Sequence, residues 1–103
     1  MEEAIIIRVD ADLEDLIPGF LQNRRNDLQQ MQAASAAGDF AELRRLGHIM
    51  KGVGSGYGFT RITELGAEIE QAAASQEAAA IALLASQLEN YLNRLTIVYE
   101  EQP

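Results

Sequence analysis

A chain of 103 residues, 48% hydrophobic and with a formal net charge of −8, is long enough for one packed core and too short for two. That balance excludes a disordered tail, and the acidity argues against nucleic acid or an anionic membrane as partner. There are no cysteines, so disulfides and thiolate metal sites are ruled out and redox usage says nothing about compartment.

No apolar run approaches the roughly 18 residues of a membrane span, and the opening "MEEAIII" lacks the basic region of a signal peptide. A cytoplasmic protein is the expectation. Met1 and the closing "EEQP" read as natural ends of a single domain, residues 1–11 being an arm and 12–103 a helical bundle. In the arm, "IIIRVD" (5–10) is rich in β-formers but brief, with no second strand to pair with, and is expected as an extended segment packed on the rest. "DADLEDLIPGFLQNRRNDLQQMQAASAAG" reads as helix, with Leu13, Ile17, Leu21, Leu28 and Met31 near one face and Gly38 as a stop. Pro18 kinks it or starts a new helix there, since proline is tolerated in a first turn.

Asp39 is a good N-cap, with Glu42 completing an acidic first turn. Leu43, Leu46, Met50 and Val53 follow at helical spacing. The chain turns around Gly58, and Ile62, Leu65, Ile69 and Ala72 or Ala73 mark a third helix. In "ASQE", Ser75 is the expected cap of a long fourth helix stepping through Ile81, Leu84, Leu88, Tyr91, Leu95 and Val98. Short connections make neighbouring helices antiparallel. The predicted fold is all-α, an up-and-down four-helix bundle with an extended N-terminal arm and a short helical extension. No long unpaired apolar face is predicted, so a monomer is expected.

Charge is uneven along this chain. From Leu43 to Thr63 it carries Arg44, Arg45, Lys51 and Arg61 and no acid, which suggests an anion or an acidic protein surface as the local partner. The only histidine, His48, lies inside this basic island. On a helical wheel Leu43, Leu46, Met50 and Val53 fall within roughly 80° of one another, and His48 lies nearly opposite them. Arg44, Lys51 and Ser55 share its outward face, within about 60°. The imidazole is therefore exposed, with cations one turn away on either side.

Four glycines at alternate positions follow: Gly52, Gly54, Gly56 and Gly58. Each costs about 0.5–1 kcal/mol inside a helix relative to alanine, so bare backbone is needed just beyond His48. Metal binding does not explain the set, because one imidazole flanked by cations repels a metal ion. A Ser-His-Asp hydrolase would need a nucleophile elbow and an oxyanion hole. "KGVGSGYG" follows a helix and lacks the ending of a nucleotide-binding loop. Phosphoryl transfer to an imidazole nitrogen does use these parts: a neutral ring as nucleophile, an ammonium to steady phosphoryl oxygens, and a glycine that leaves room for a partner's active site.

"HIMKGVGSGYG" resembles the signature of histidine-containing phosphotransfer (HPt) domains, H-x-x-K-G followed by a further glycine, here His48, Lys51, Gly52 and Gly58. The resemblance runs from about Val9 to Tyr99 and includes the "GDFAELRRLGH" approach and the I-x-x-L-x-x-x-I-E pattern after the turn. It implies a helical bundle whose exposed histidine carries a phosphoryl group between receiver domains, or from a sensor histidine kinase to a receiver, in two-component signalling. It also implies that the receiver supplies the acceptor aspartate and Mg²⁺, so that the chain is a phosphocarrier with no cofactor or metal of its own. Where many members carry glutamine, this chain has Glu70, as do the phosphotransfer domains of chemotaxis kinases, although nothing here resembles a nucleotide-binding or dimerisation domain.

Glu70 is also reached without the family. If the chain reverses near Phe59, antiparallel helices of equal rise bring residues whose numbers sum to about 118 to one level, as those of His48 and Glu70 do. Its carboxylate would accept the Nδ1 proton and leave Nε2 as nucleophile. Gly54, Gly58 and Gly66 serve close helix approach and a tight turn. Arg44 and Arg45 steer the acidic face of a receiver, Ser55 faces solvent or the phosphoryl group, and Tyr57 and Phe59 pack at the bundle end. The rival function is an adaptor of the same fold that binds receivers without being phosphorylated. His48 beside Lys51 disfavours it, because a pure binder needs no nucleophile.

Overall fold

Pro18 stands in the first turn of α1 (Ile17–Ala37), where its missing N–H removes no helical hydrogen bond. The computed structural model describes residues 3–101; the tip of the predicted arm and the final Gln102 and Pro103 lie outside them. A 3₁₀ turn at Ala11–Leu13 precedes α1, so the helix starts at the proline instead of running through it. Gly38 ends α1 with φ 68°, the left-handed value that glycine reaches without a Cβ clash. Asp39 caps α2 (Phe40–Val53), its carboxylate accepting from the Glu42 N–H at 3.1 Å.

After the turn come α3 (Thr60–Ala74) and α4 (Ala78–Arg94). Helix α1 packs on α2 and α4, and α3 packs on α2 and α4, which closes the up-and-down bundle. Its interior is apolar: Ile17, Met31, Leu43, Leu46, Met50, Phe59, Ile62, Leu65, Ile69, Ile81 and Leu88 are all buried, each worth about 1.5–3 kcal/mol relative to exposure. Phe59 and Tyr57 close one end against Phe20, the first stacked with ring centroids 5.2 Å apart and the second tilted at 4.6 Å.

Three sequence expectations need correction. The strand-like segment has a partner: β1 (Ile5–Asp10) pairs in parallel with β2 (Leu95–Glu100), Ile5 opposite Leu95 and Asp10 opposite Glu100. The fourth helix therefore stops at Arg94, not Val98. Leu95 and Val98 fit a helical step, yet Leu-Thr-Ile-Val-Tyr is also a run of β-formers, and the ladder offered by β1 decides between them. Alternation turns Ile5, Ile7, Val9, Leu95, Ile97 and Tyr99 toward the core, while Arg8 donates outward to Glu100 at 2.7 Å. Finally, Ser75 ends α3, and Glu77, without a side-chain cap bond, precedes α4.

The feature that positions the site is the contact between α2 and α3. A Cβ on Gly47 would lie 2.6 Å from the Glu70 amide nitrogen and 2.8 Å from the Gly66 carbonyl oxygen. One on Gly66 would run into the Lys51 amide nitrogen and lie 2.7 Å from the Gly47 carbonyl oxygen. The two backbones touch, and only glycine permits it. Gly54 repeats the arrangement against Thr63 and Phe59, and Gly58 turns the chain with φ 91°.

Candidate functional site

His48 projects from the outer face of α2, its side chain 69% exposed. The contact between Gly47 and Gly66 sets α3 close enough for Glu70 to reach it, and Glu70 Oε2 lies 2.9 Å from His48 Nδ1. The other oxygen of that carboxylate, Oε1, accepts from Lys51 Nζ at 2.6 Å. One carboxylate therefore holds both predicted neighbours. The Lys51 hydrogen bond, with a smaller contribution from His48, keeps the Glu70 carboxyl below the ordinary glutamate range. An ionised carboxylate only accepts, so Nδ1 is the donor in this contact, and a neutral ring held in this way has its lone pair on Nε2.

The basic island is less free than its sequence reads, because acids from outside it reach in. Arg45 Nε donates to Glu42 Oε2 at 2.9 Å, with a second guanidinium nitrogen on the same carboxylate. Arg61 lies 3.6 Å from Glu64 and 3.9 Å from Glu68, and donates to Gln87. Arg44 is exposed and stays outside these pairs. It lines a shallow depression of about 420 Å³ together with Ala41, Arg45, His48 and Glu70.

The glycines divide into two kinds. Gly54 and Gly58 meet structural demands, whereas a Cβ at Gly52 or Gly56 would touch nothing within 4 Å. Ser55 lies beyond the end of α2, in the 3₁₀ turn Ser55–Tyr57, with its amide donating to Thr63 Oγ1 at 2.8 Å. The wheel that placed it beside His48 assumed helix where the chain has already begun to turn. Gly47 escaped the sequence reading although it adjoins the histidine; its signal was a second small residue, Gly66, near the same level of the facing helix. A larger groove of about 660 Å³ lies between α3 and α4, lined by Arg61, Glu68, Leu83 and Leu84 among others, and no histidine, serine, threonine or lysine lines it.

A scan against protein-family models matches the Hpt domain over residues 15–97. The chain belongs to the Hpt family. A search of curated proteins and one of solved structures returned no match. An Hpt domain serves phosphotransfer in phosphorelays as a carrier rather than as a catalytic domain. The match spans all four helices, starts after β1 and stops inside β2, so the first strand of the sheet lies outside it. No helix among the described residues is long and apolar enough to cross a membrane.

The contact between Glu70 and the imidazole can be tested directly. Glu70→Ala should release Nδ1, and ¹⁵N chemical shifts of the imidazole should move from one dominant tautomer toward a mixture. Because the Glu70 pKa is lowered, the ion pair's contribution is complete above the unfolded glutamate value and is lost as pH falls through the lower folded value. Identical ¹⁵N shifts in wild type and variant would mean that the contact does not set the tautomer.

Proposed function

We propose that this Hpt protein carries a phosphoryl group on His48 Nε2, taken from an aspartyl phosphate of a receiver domain or from a sensor histidine kinase, and passes it to a receiver aspartate. The observation that supports this reading most is the bond from His48 Nδ1 to Glu70 Oε2 at 2.9 Å on a ring otherwise open to solvent. It commits one nitrogen and leaves the other as a nucleophile. In the step, the Nε2 lone pair attacks phosphorus, the N–P bond forms, and the P–O bond breaks with its electron pair leaving on the partner's aspartate. The Nδ1 proton stays on the ring, shared with Glu70, and onward transfer is the reverse. The partner provides the aspartate and Mg²⁺, and the Lys51 ammonium, 2.6 Å from Glu70 Oε1, adds positive charge near the incoming phosphoryl group and offsets the carboxylate beside it. A cytoplasmic monomer of one domain, meeting receivers there, is part of the same reading.

Incubation with receiver domains charged by acetyl phosphate tests it. Acid-labile, base-stable phosphate on this chain supports the carrier; stable receiver binding with no phosphate taken up would leave the adaptor reading instead.

Gly52 carries a second expectation. One turn past His48, its missing side chain opens onto empty space, so packing does not require glycine there. Gly52→Gln should hold or raise stability by up to about 0.5–1 kcal/mol, the helix-propensity difference. Transfer from a receiver should nevertheless fall by at least about tenfold, because the side chain stands where the partner's phosphate approaches the ring. A variant that is more stable and equally fast would remove the partner from the explanation of this glycine.

A further inference from the structure

A phosphoryl group on Nε2 brings close to two negative charges beside the Glu70 carboxylate, so it needs a cation that is not already spent. Lys51, the obvious choice from spacing, is held on Glu70 at 2.6 Å. Turning it toward the phosphoryl group would strip Glu70 of its counter-ion just as a dianion arrives next to it. Arg45 is engaged by Glu42 with two nitrogens. Arg61 faces Glu64, Glu68 and Gln87 on the far side of α3.

Arg44 differs from all three. It lies one turn before His48 on the same outward face and, like Arg45, lines the depression that the imidazole and Glu70 share, but it stays outside the ion pairs that hold the other three. Ala41, one turn earlier on the same helix, also lines it, and its methyl group leaves the space open. We infer that Arg44 is the residue that binds the phosphoryl oxygens on His48, while Lys51 remains on Glu70 as the clamp that holds the ring. This inference rests on the phosphohistidine reading above and assigns Arg44 a role beyond steering a receiver.

The chemistry suits an arginine. A guanidinium is charged at every working pH and presents parallel N–H donors that match two phosphoryl oxygens. Binding there breaks no existing pair, so the full attraction is available to the product and to the transition state that leads to it. A lysine at the same place would supply charge without the two-point fit.

The test avoids the receiver at first. Potassium phosphoramidate phosphorylates histidine, and this chain has only one. The ³¹P resonance of the phosphoprotein is then titrated in wild type, Arg44→Gln, Arg44→Lys and Lys51→Ala. Removing the cation that faces the phosphoryl group disfavours its dianion, so Arg44→Gln should raise the phosphoryl pKa by about half a unit or more. Arg44→Lys should recover part of that shift, and Lys51→Ala should produce less of it. Transfer from a charged receiver should fall about tenfold in Arg44→Gln, with circular dichroism unchanged because the side chain is exposed.

An unchanged ³¹P titration in Arg44→Gln, with the shift appearing in Lys51→Ala, would overturn the inference and return the role to Lys51. Failure of the underlying reading looks different. In that case the wild-type protein takes no phosphate from any receiver, whatever Arg44 does to the chemically phosphorylated form.

Discussion

Gly66→Ala should cost this bundle more than about 2 kcal/mol and separate His48 from Glu70 in the same stroke. Helix propensity pulls the other way, since alanine is better than glycine inside a helix by about 1 kcal/mol, and α3 runs unbroken through this position. The added methyl has nowhere to go. It would meet the Lys51 amide nitrogen, the Gly47 carbonyl oxygen at 2.7 Å and the Met50 carbonyl carbon at 2.8 Å, all of them backbone atoms of α2 that no rotamer change can move. Overpacking of a rigid core costs about 1–3 kcal/mol, occasionally more, and here relief requires α2 and α3 to part.

The consequence reaches the site because the same contact carries Glu70 to His48. Denaturant melts should show the lower stability, and imidazole ¹⁵N shifts should show the released ring, as is expected for Glu70→Ala. Gly47→Ala should behave alike, with Glu70's own amide 2.6 Å from the new methyl. If Gly66→Ala were more stable than wild type with an unchanged imidazole spectrum, propensity would have won and the close crossing would not be what holds the two residues together.

The parts of this molecule that local patterns specify were readable in advance. The stop at Gly38, the cap at Asp39, the apolar stripe of α2 and the outward face of His48 each depend on a few neighbouring residues. The pairing of His48 with Glu70 was reachable too, because an antiparallel helix pair with a short turn has only one free parameter, the level at which the chain reverses.

What escaped depends on contacts distant in sequence. Leu95 to Glu100 satisfies helical and strand periods alike, and only β1, about 90 residues away, selects the strand. Arg24 is 7% exposed on the core side of α1, where its guanidinium covers the Phe20 ring at 4.9 Å and lies 2.9 Å from Asp27; a charged residue in an apolar stripe gives no local sign that it will be buried. Burial in turn pushes the Asp27 carboxyl up against the opposing pull of Arg24. The island of cations read as free charge for a similar reason. Its neutralising acids, Glu42, Glu64, Glu68 and Glu70, lie just outside the window in sequence and face it in space.

Whether the phosphoryl group travels on His48 is tested most directly by a phosphorylation assay with His48→Gln. The ring stands clear of the core, so the substitution should leave stability within about 0.5 kcal/mol of wild type, and circular dichroism and the melting temperature serve as the control. Glutamine keeps a polar side chain on this face but has no ring nitrogen whose lone pair could attack phosphorus. With receiver domains charged by acetyl phosphate, wild type should gain one acid-labile, base-stable phosphate, seen as a phosphoramidate resonance by ³¹P NMR, and His48→Gln should gain none. Acid-labile phosphate retained on a folded His48→Gln protein would contradict the account and place the carrier elsewhere on the chain.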